Sequence, residues 1–156
     1  MNNLPSSPIN LPLKVNQIVS LDYLDHHLYG EVIQLIPDRQ LCWFRPLCLS
    51  LVNLEQQDFD LNSCLTEERS SSQKTSTQQN LVAHSQDYWK TNLIDLQSSS
   101  DLLWPDVLFR PALDSEIIDF LPQLSDISHI SKNNKINQKC LNKFVYLVWQ
   151  AHQDKF

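Results

Sequence analysis

The sequence contains a single glycine, Gly30, in 156 residues. A P-loop, a dinucleotide-binding fingerprint and a G-x-S-x-G nucleophile elbow each need several glycines at fixed spacing. The commonest nucleotide-dependent enzyme classes and the hydrolase elbow are therefore excluded. Any turn that requires a positive φ has to draw on Asn, Asp or His, whose short polar side chains tolerate it better than most.

Close cysteine pairs are also missing. Cys42, Cys48, Cys64 and Cys140 lie 6, 16 and 76 residues apart, with no C-x-x-C. A zinc ribbon or a redox motif needs tighter pairing, and a small secreted scaffold needs more cysteine per residue. Buried free thiols are the expected state, with a Cys42–Cys48 regulatory disulfide as the weaker alternative. Long apolar runs are absent, and the start MNNLPSSPINLPLK has neither the basic residues nor the continuous apolar core of a signal peptide, so a cytoplasmic protein without a transmembrane segment is expected.

Positive charge is scarce until the end of the chain. The formal net charge is −6, yet the stretch from Lys132 onward holds five lysines against Asp154 alone, a local +4 that leaves −10 for residues 1–131. A nucleic-acid binder would spread basic residues across a broad face, so an acidic body with a basic tail counts against that role.

What is present is one domain's worth of core-forming residues. Hydrophobic residues make up 42% of the chain, enough for one core, while Ser, Gln and Asn supply 17, 14 and 12 residues. Met1–Leu13 carries Pro5, Pro8 and Pro12 and reads as a flexible arm. Residues 14–153 read as a single α+β domain. Its centre is Leu28–Leu51, a β-hairpin in which Pro37-Asp38 is the turn and Pro46 imposes a bend or an edge position. Lys14–Tyr23 precedes it as a strand, and Leu24–His27 turns the chain. Glu55–Asn80 has five acids against two basic residues and few apolar anchors, the composition of a polar, disordered insertion.

Order resumes with a strand over Thr91–Leu96 and a second extended run, Asp101–Leu113. Asp114 and Ser115 offer N-cap chemistry for a short helix, Glu116–Leu121, which Pro122 should stop. After a polar connector, Ser125–Asn133, a helix runs from Asn134 to about Gln153. Its apolar stripe comprises Ile136, Cys140, Leu141, Phe144, Leu147, Val148 and Ala151, with Lys135, Lys139 and Lys143 on the other side. The expected architecture is a small curved antiparallel sheet or SH3-like barrel with this C-terminal amphipathic helix packed on it.

An internal echo carries the candidate binding residues. Pro37-Asp38 with Phe44-Arg45-Pro46 is matched by Pro105-Asp106 with Phe109-Arg110-Pro111, and one local geometry explains both: an aromatic packed inward, an arginine beside it, and a proline that ends the strand. Arg45 and Arg110 suit bidentate recognition of a partner carboxylate; the competing structural role is an internal ion pair with an acid such as Glu31 or Glu116. Trp43, Trp89, Trp104 and Trp149 divide between core and recognition surface, with most expected in the core. Asp22, Asp25, His26 and His27 form the densest titratable cluster. Adjacent histidines on a strand face opposite ways, so a polar turn outweighs a metal or catalytic site there.

The stretches LYGEVIQLIPDRQLCWFRPLCL and DLLWPDVLFRPALDSEI resemble a family of small cyanobacterial proteins. The resemblance covers Lys14–Leu51 and Thr91–Leu121 and implies a cyanobacterial origin, but no activity, cofactor or functional residue. By analogy it suggests an assembly factor or adaptor for photosynthetic or carboxysome-type complexes. The expected function is therefore a non-enzymatic binding module that recognises a peptide segment through Trp43, Phe44, Arg45, Trp104, Phe109 and Arg110. No catalytic residue, metal ligand or cofactor is assigned. A small β-barrel nucleic-acid-binding regulator and an enzyme with an unrecognised site are the alternatives.

Overall fold

A computed structural model describes residues 12–51, 92–128 and 134–156. Most of the arm expected over 1–13 and the insertion expected at 55–80 lie outside the described residues, as do Cys64 and Trp89. Three strands form a meander: β1 (Ile18–Tyr23), β2 (His26–Ile36) and β3 (Leu41–Leu51). They are followed by β4 (Asn92–Asp95), β5 (Leu102–Pro105), β6 (Phe109–Pro111), α1 (Asp114–Ser128) and α2 (Asn134–Ala151).

All strand pairs are antiparallel, in the order β4-β3-β2-β1-β6, with β5 sharing the outer edge of β3 with β4. Of the two expected architectures the sheet is the open, curved one, not a closed barrel. The opening half of β3, Leu41–Phe44, pairs with β5, and its closing half, Cys48–Leu51, pairs with β4. Pro46 lies between these two stretches, where its lack of an N–H breaks no outer ladder. It does not end β3.

Two register shifts produce the curvature. Tyr29 pairs with Cys48 while Gly30 pairs with Pro46, so Leu47 is an extra residue; Val32 pairs with Phe44 while Gln34 pairs with Trp43, so Ile33 is another. Each bulge bends its strand and increases the local twist. The sheet curls far enough for Phe44 on β3 and Phe109 on β6 to meet, ring centroids 4.9 Å apart.

Strand alternation gives the sheet two faces. On the inner face Val19, Leu21, Leu28, Val32, Phe44 and Leu49 pack with Cys140, Leu141, Phe144 and Val148 of α2. The apolar stripe expected on α2 is therefore the one used, except that Ala151 is exposed. On the outer face Tyr29 and Cys48 pack with Phe120 and Leu124 of α1. That arrangement corrects two expectations, the Cys42–Cys48 disulfide alternative and the helix stop at Pro122. Cys42 and Cys48 belong to different clusters on opposite faces, and both are free thiols. Burial pushes them up to about 11 and about 12 respectively, which leaves them unreactive. Finally, α1 continues through Pro122 to Ser128 instead of stopping at Leu121, because Phe120 and Leu124 anchor it on either side of the proline. The hydrogen bond lost at the Ile118 carbonyl falls on the exposed side, where water can replace it.

Of the three positive-φ positions among the described residues, Asn16 is of the expected kind and Leu24 and Gln40 are not. Asn16, Leu24 and Gln40 have φ of 64°, 52° and 54°, and the one glycine has none. Leu24-Asp25 is the whole connection between β1 and β2, and two-residue hairpin loops match strand twist only with positive φ. The pairing of Tyr23 with His26 therefore imposes that geometry on a leucine whose side chain stays in solvent. For the same reason the turn expected at Leu24–His27 is shorter: His26 and His27 already belong to β2.

Gly30 serves close approach instead. A Cβ there would fall inside contact distance of the Phe44 ring and the Arg45 carbonyl oxygen. Gly30→Ala should therefore cost about 3 kcal/mol, the upper range for overpacking, in a chemical denaturation measurement. A Gly30→Ala, Phe44→Leu double variant should be more stable than the sum of the single losses predicts. Strict additivity would show that the ring is not the obstacle.

Candidate binding surface

The outer face of the sheet divides into three parts along β3. Helix α1 covers the middle. The first part left open is at the Trp43 end, where the side chains of Trp43 and Leu103 lie side by side as a cross-strand pair, 40% and 52% exposed. Asp101 organises this strip. It accepts from the Trp43 indole N–H at 2.9 Å and from Arg45 Nε and Nη2 at 3.1 and 3.3 Å. The Arg45 hydrogen bonds hold the Asp101 carboxyl below the usual carboxylate range. Glu31 sits opposite Arg45 on β2. An internal ion pair with an acid such as Glu31 or Glu116 was expected for Arg45 and Arg110: Arg110 pairs with Glu116, and Arg45 with Asp101 instead.

The six residues expected to bind a partner do not share this surface. Phe44, Trp104 and Phe109 pack in the core on the face that α2 covers, and of the three Phe109 also reaches the wall of an open groove. Trp43 and Arg45 point outward. Arg110 also points outward, but from β6 at the far edge of the sheet, where its guanidinium is occupied. Trp149 is exposed on α2, next to Tyr146 at 6.1 Å, away from the sheet surface.

Arg110 is the centre of a polar network that joins β1, β2, β6 and α1. Its Nη1 and Nη2 donate to Glu116 Oε2 and Oε1 at 2.9 and 2.7 Å, and its Nε donates to Asp22. The Tyr29 hydroxyl donates to Glu116 at 3.0 Å and the Leu113 backbone N–H donates to it at 2.7 Å. That last bond is half of a capping box: Glu116 stands three residues beyond Leu113, at the start of α1, and satisfies a donor that the leucine side chain cannot. Asp22 accepts further from Ser20 and lies 2.9 Å from His27 Nδ1. The titratable cluster noted in the sequence is thus split: Asp22 and His27 join the Arg110 network, while His26 turns to the opposite side and is buried. Asp22 could have been found only by knowing that β6 lies beside β1.

Among the described residues, two concavities bear on this surface. The larger, about 530 Å³, is an open groove at the Pro37–Gln40 end, walled by Leu13, Leu35, Val107 and Phe109 with Asp106 and Lys155 at its rim. The smaller, about 240 Å³, lies under α1 beside His27 and Ser50. Among the described residues no group of His, Cys, Asp and Glu is placed to hold a metal ion, and no helix is long and apolar enough to cross a membrane. Comparison of the chain with protein-family models, curated proteins and solved structures returned no match.

The network sets the response to acid. Burial by itself would raise the Asp22 carboxyl, but hydrogen bonds from His27, Ser20 and Arg110 outweigh it and bring the value to about 2. The Arg110 fork brings Glu116 to about 2 as well, against the opposing effect of burial. Both folded values lie below the ordinary 3.8 and 4.5, so the stability these groups contribute is complete above about pH 4.5 and is lost as pH falls toward 2. Because both groups are partly exposed, solvent screening limits the sum to about 2 kcal/mol. Arg110→Met leaves two facing carboxylates without their cation, and the midpoint of acid unfolding, followed by tryptophan fluorescence, should move to higher pH. An unchanged midpoint would show that the network contributes nothing to folding.

Proposed function

We propose that the protein is a non-enzymatic binding module that holds an extended peptide segment of a larger assembly. The observation that carries this reading is the strip at the Trp43 end of the outer face, which neither helix covers and where Trp43 and Leu103 form an exposed cross-strand pair. Paired aromatic and aliphatic groups of this kind anchor partners, and the surrounding Arg45, Glu31 and Asp101 form a polar rim. Asp101 fixes both Trp43 and Arg45 before any partner arrives, which reduces the entropy cost of ordering them.

The backbone supports an extended partner. Among the described residues β5 pairs only with β3, so its other edge offers N–H and C=O groups to an added strand directly beside Leu103. Arg45 is the arginine that remains suited to a partner carboxylate, because Arg110 is engaged on two sides. The family resemblance of the sequence supports an adaptor or assembly factor as the setting, with photosynthetic or carboxysome-type complexes entering by analogy alone. The concentration of lysines in α2, against acids elsewhere, supports a protein partner over a nucleic acid.

A displayed library of random peptides panned on the chain should yield an enriched sequence with at least one large apolar side chain. Its affinity should fall about 30-fold, or ~2 kcal/mol, in a Trp43→Ala, Leu103→Ala variant whose unfolding free energy is nearly unchanged. Arg45→Ala should weaken acidic or C-terminal peptides selectively. Enriched peptides that bind the variants as well as the wild type would place recognition elsewhere, and tighter binding to single-stranded RNA with a steep salt dependence would favour the nucleic-acid alternative.

A further inference from the structure

The cleft of about 240 Å³ under α1 lies at the other end of β3 from the Trp43 strip, and what it can bind does not depend on the peptide-binding reading. Its apolar wall is Leu93 together with Tyr29 and Phe120, whose rings stack 4.7 Å apart. Each of its polar groups has an oxygen or nitrogen able to accept, and Asp119 brings a carboxylate.

Ser50 is only 6% exposed, lines the cleft, and its hydroxyl has no partner among the described residues. Its hydroxyl is available to accept from a bound donor. His27 Nδ1 faces the Asp22 carboxylate at 2.9 Å, an arrangement that in the neutral ring puts the proton on Nδ1 and leaves Nε2 as an acceptor. Gln123 uses its Nε2 on the Asp119 carbonyl at 2.8 Å, which leaves its Oε1 open. The Asp119 carboxylate has no ion pair among the described residues. Glu116, by contrast, is filled by Arg110, Tyr29 and the Leu113 N–H.

The charges agree with the hydrogen-bonding inventory. Asp22, Glu116 and Asp119 are offset by Arg110 alone, so the surroundings of the cleft are net negative when His27 is neutral. An anion would meet net repulsion. We propose that this cleft binds an ammonium or guanidinium group carried on a slim aliphatic chain, as found on a lysine or arginine side chain or on a free alkylamine. The cationic head donates to Ser50 Oγ, His27 Nε2 and Asp119, and the methylene stem lies along Leu93 and Phe120. The ring faces of Tyr29 and Phe120 add cation–π attraction.

Titration of the full chain with cadaverine, with a blocked lysine-containing tripeptide and with its norleucine isostere, followed by amide chemical shifts, tests this. The cationic probes should shift cleft residues saturably while the neutral isostere does not. Asp119→Asn, on an exposed position that leaves packing intact, should weaken them about tenfold, or ~1.4 kcal/mol. Ser50→Ala should weaken them by a smaller factor with the fold retained. Tighter binding of the tripeptide identifies a partner's side chain as the source, and tighter binding of cadaverine a free amine. Absence of saturable binding by either cationic probe, equal binding of the norleucine peptide, or affinities that neither substitution changes would overturn the proposal.

Discussion

The contact of the Phe44 ring with the bare backbone of Gly30 is the constraint on which the rest of the structure depends. Phe44 is fully buried, sits directly over β2, and reaches across the curled sheet to Phe109. A flat sheet would hold β3 and β6 far apart, because two strands lie between them. Removing one side chain at residue 30 and adding one residue at each of two bulges lets the sheet fold over its own aromatic pair. The concave face so formed is the seat of α2, and the convex face is left for α1 and for solvent.

The convex face is then apportioned by charge. The Arg110 network ties the start of α1 to β1, β2 and β6 and so fixes where the helix crosses the sheet. Because α1 is anchored at that crossing, the Trp43–Leu103 strip is left uncovered at one end of β3 and the cleft beside Ser50 is roofed by the helix at the other. Partly exposed ion pairs contribute little to stability individually. Their larger effect here is positional: without the fork on Glu116, α1 would keep Phe120 and Leu124 as anchors but lose what orients its first turn.

Much of this was legible in local pattern. The hairpin followed from β-branched runs around Pro37-Asp38, and the stripe on α2 followed from helical periodicity, because in both cases the period of the chain and the geometry of burial coincide. The Phe-Arg-Pro echo was read correctly in part: both phenylalanines face inward, both arginines outward, and each Pro-Asp pair stands at a one-turn 3-10 helix, but Pro46 does not end its strand. What was not legible depended on neighbours distant in sequence. Pro122 did not stop α1 because tertiary anchors held both sides of it. Leu24 and Gln40 took positive φ because strand pairing required it, against their own preference. Asp22 looked like part of a polar turn until β6 brought Arg110 beside it. Ser50 carried no signal at all, since a hydroxyl on a strand becomes notable only once α1 closes over it.

The two-part outer edge of β3 also has a consequence in time. The meander of β1, β2 and β3 is joined by connections of a few residues, whereas the strands that complete β3 start at Asn92 and Leu102. At ribosomal speeds of roughly 5–20 residues per second, the stretch between Leu51 and Asn92 takes ~2–8 s to emerge. A hairpin forms in microseconds. For those seconds the nascent chain presents an apolar strand, LCWFRPLCLSL, paired on one side only, the kind of edge that neighbouring chains on a polysome could join. Pro46, at the middle of that strand, removes a backbone donor from the edge while it is open.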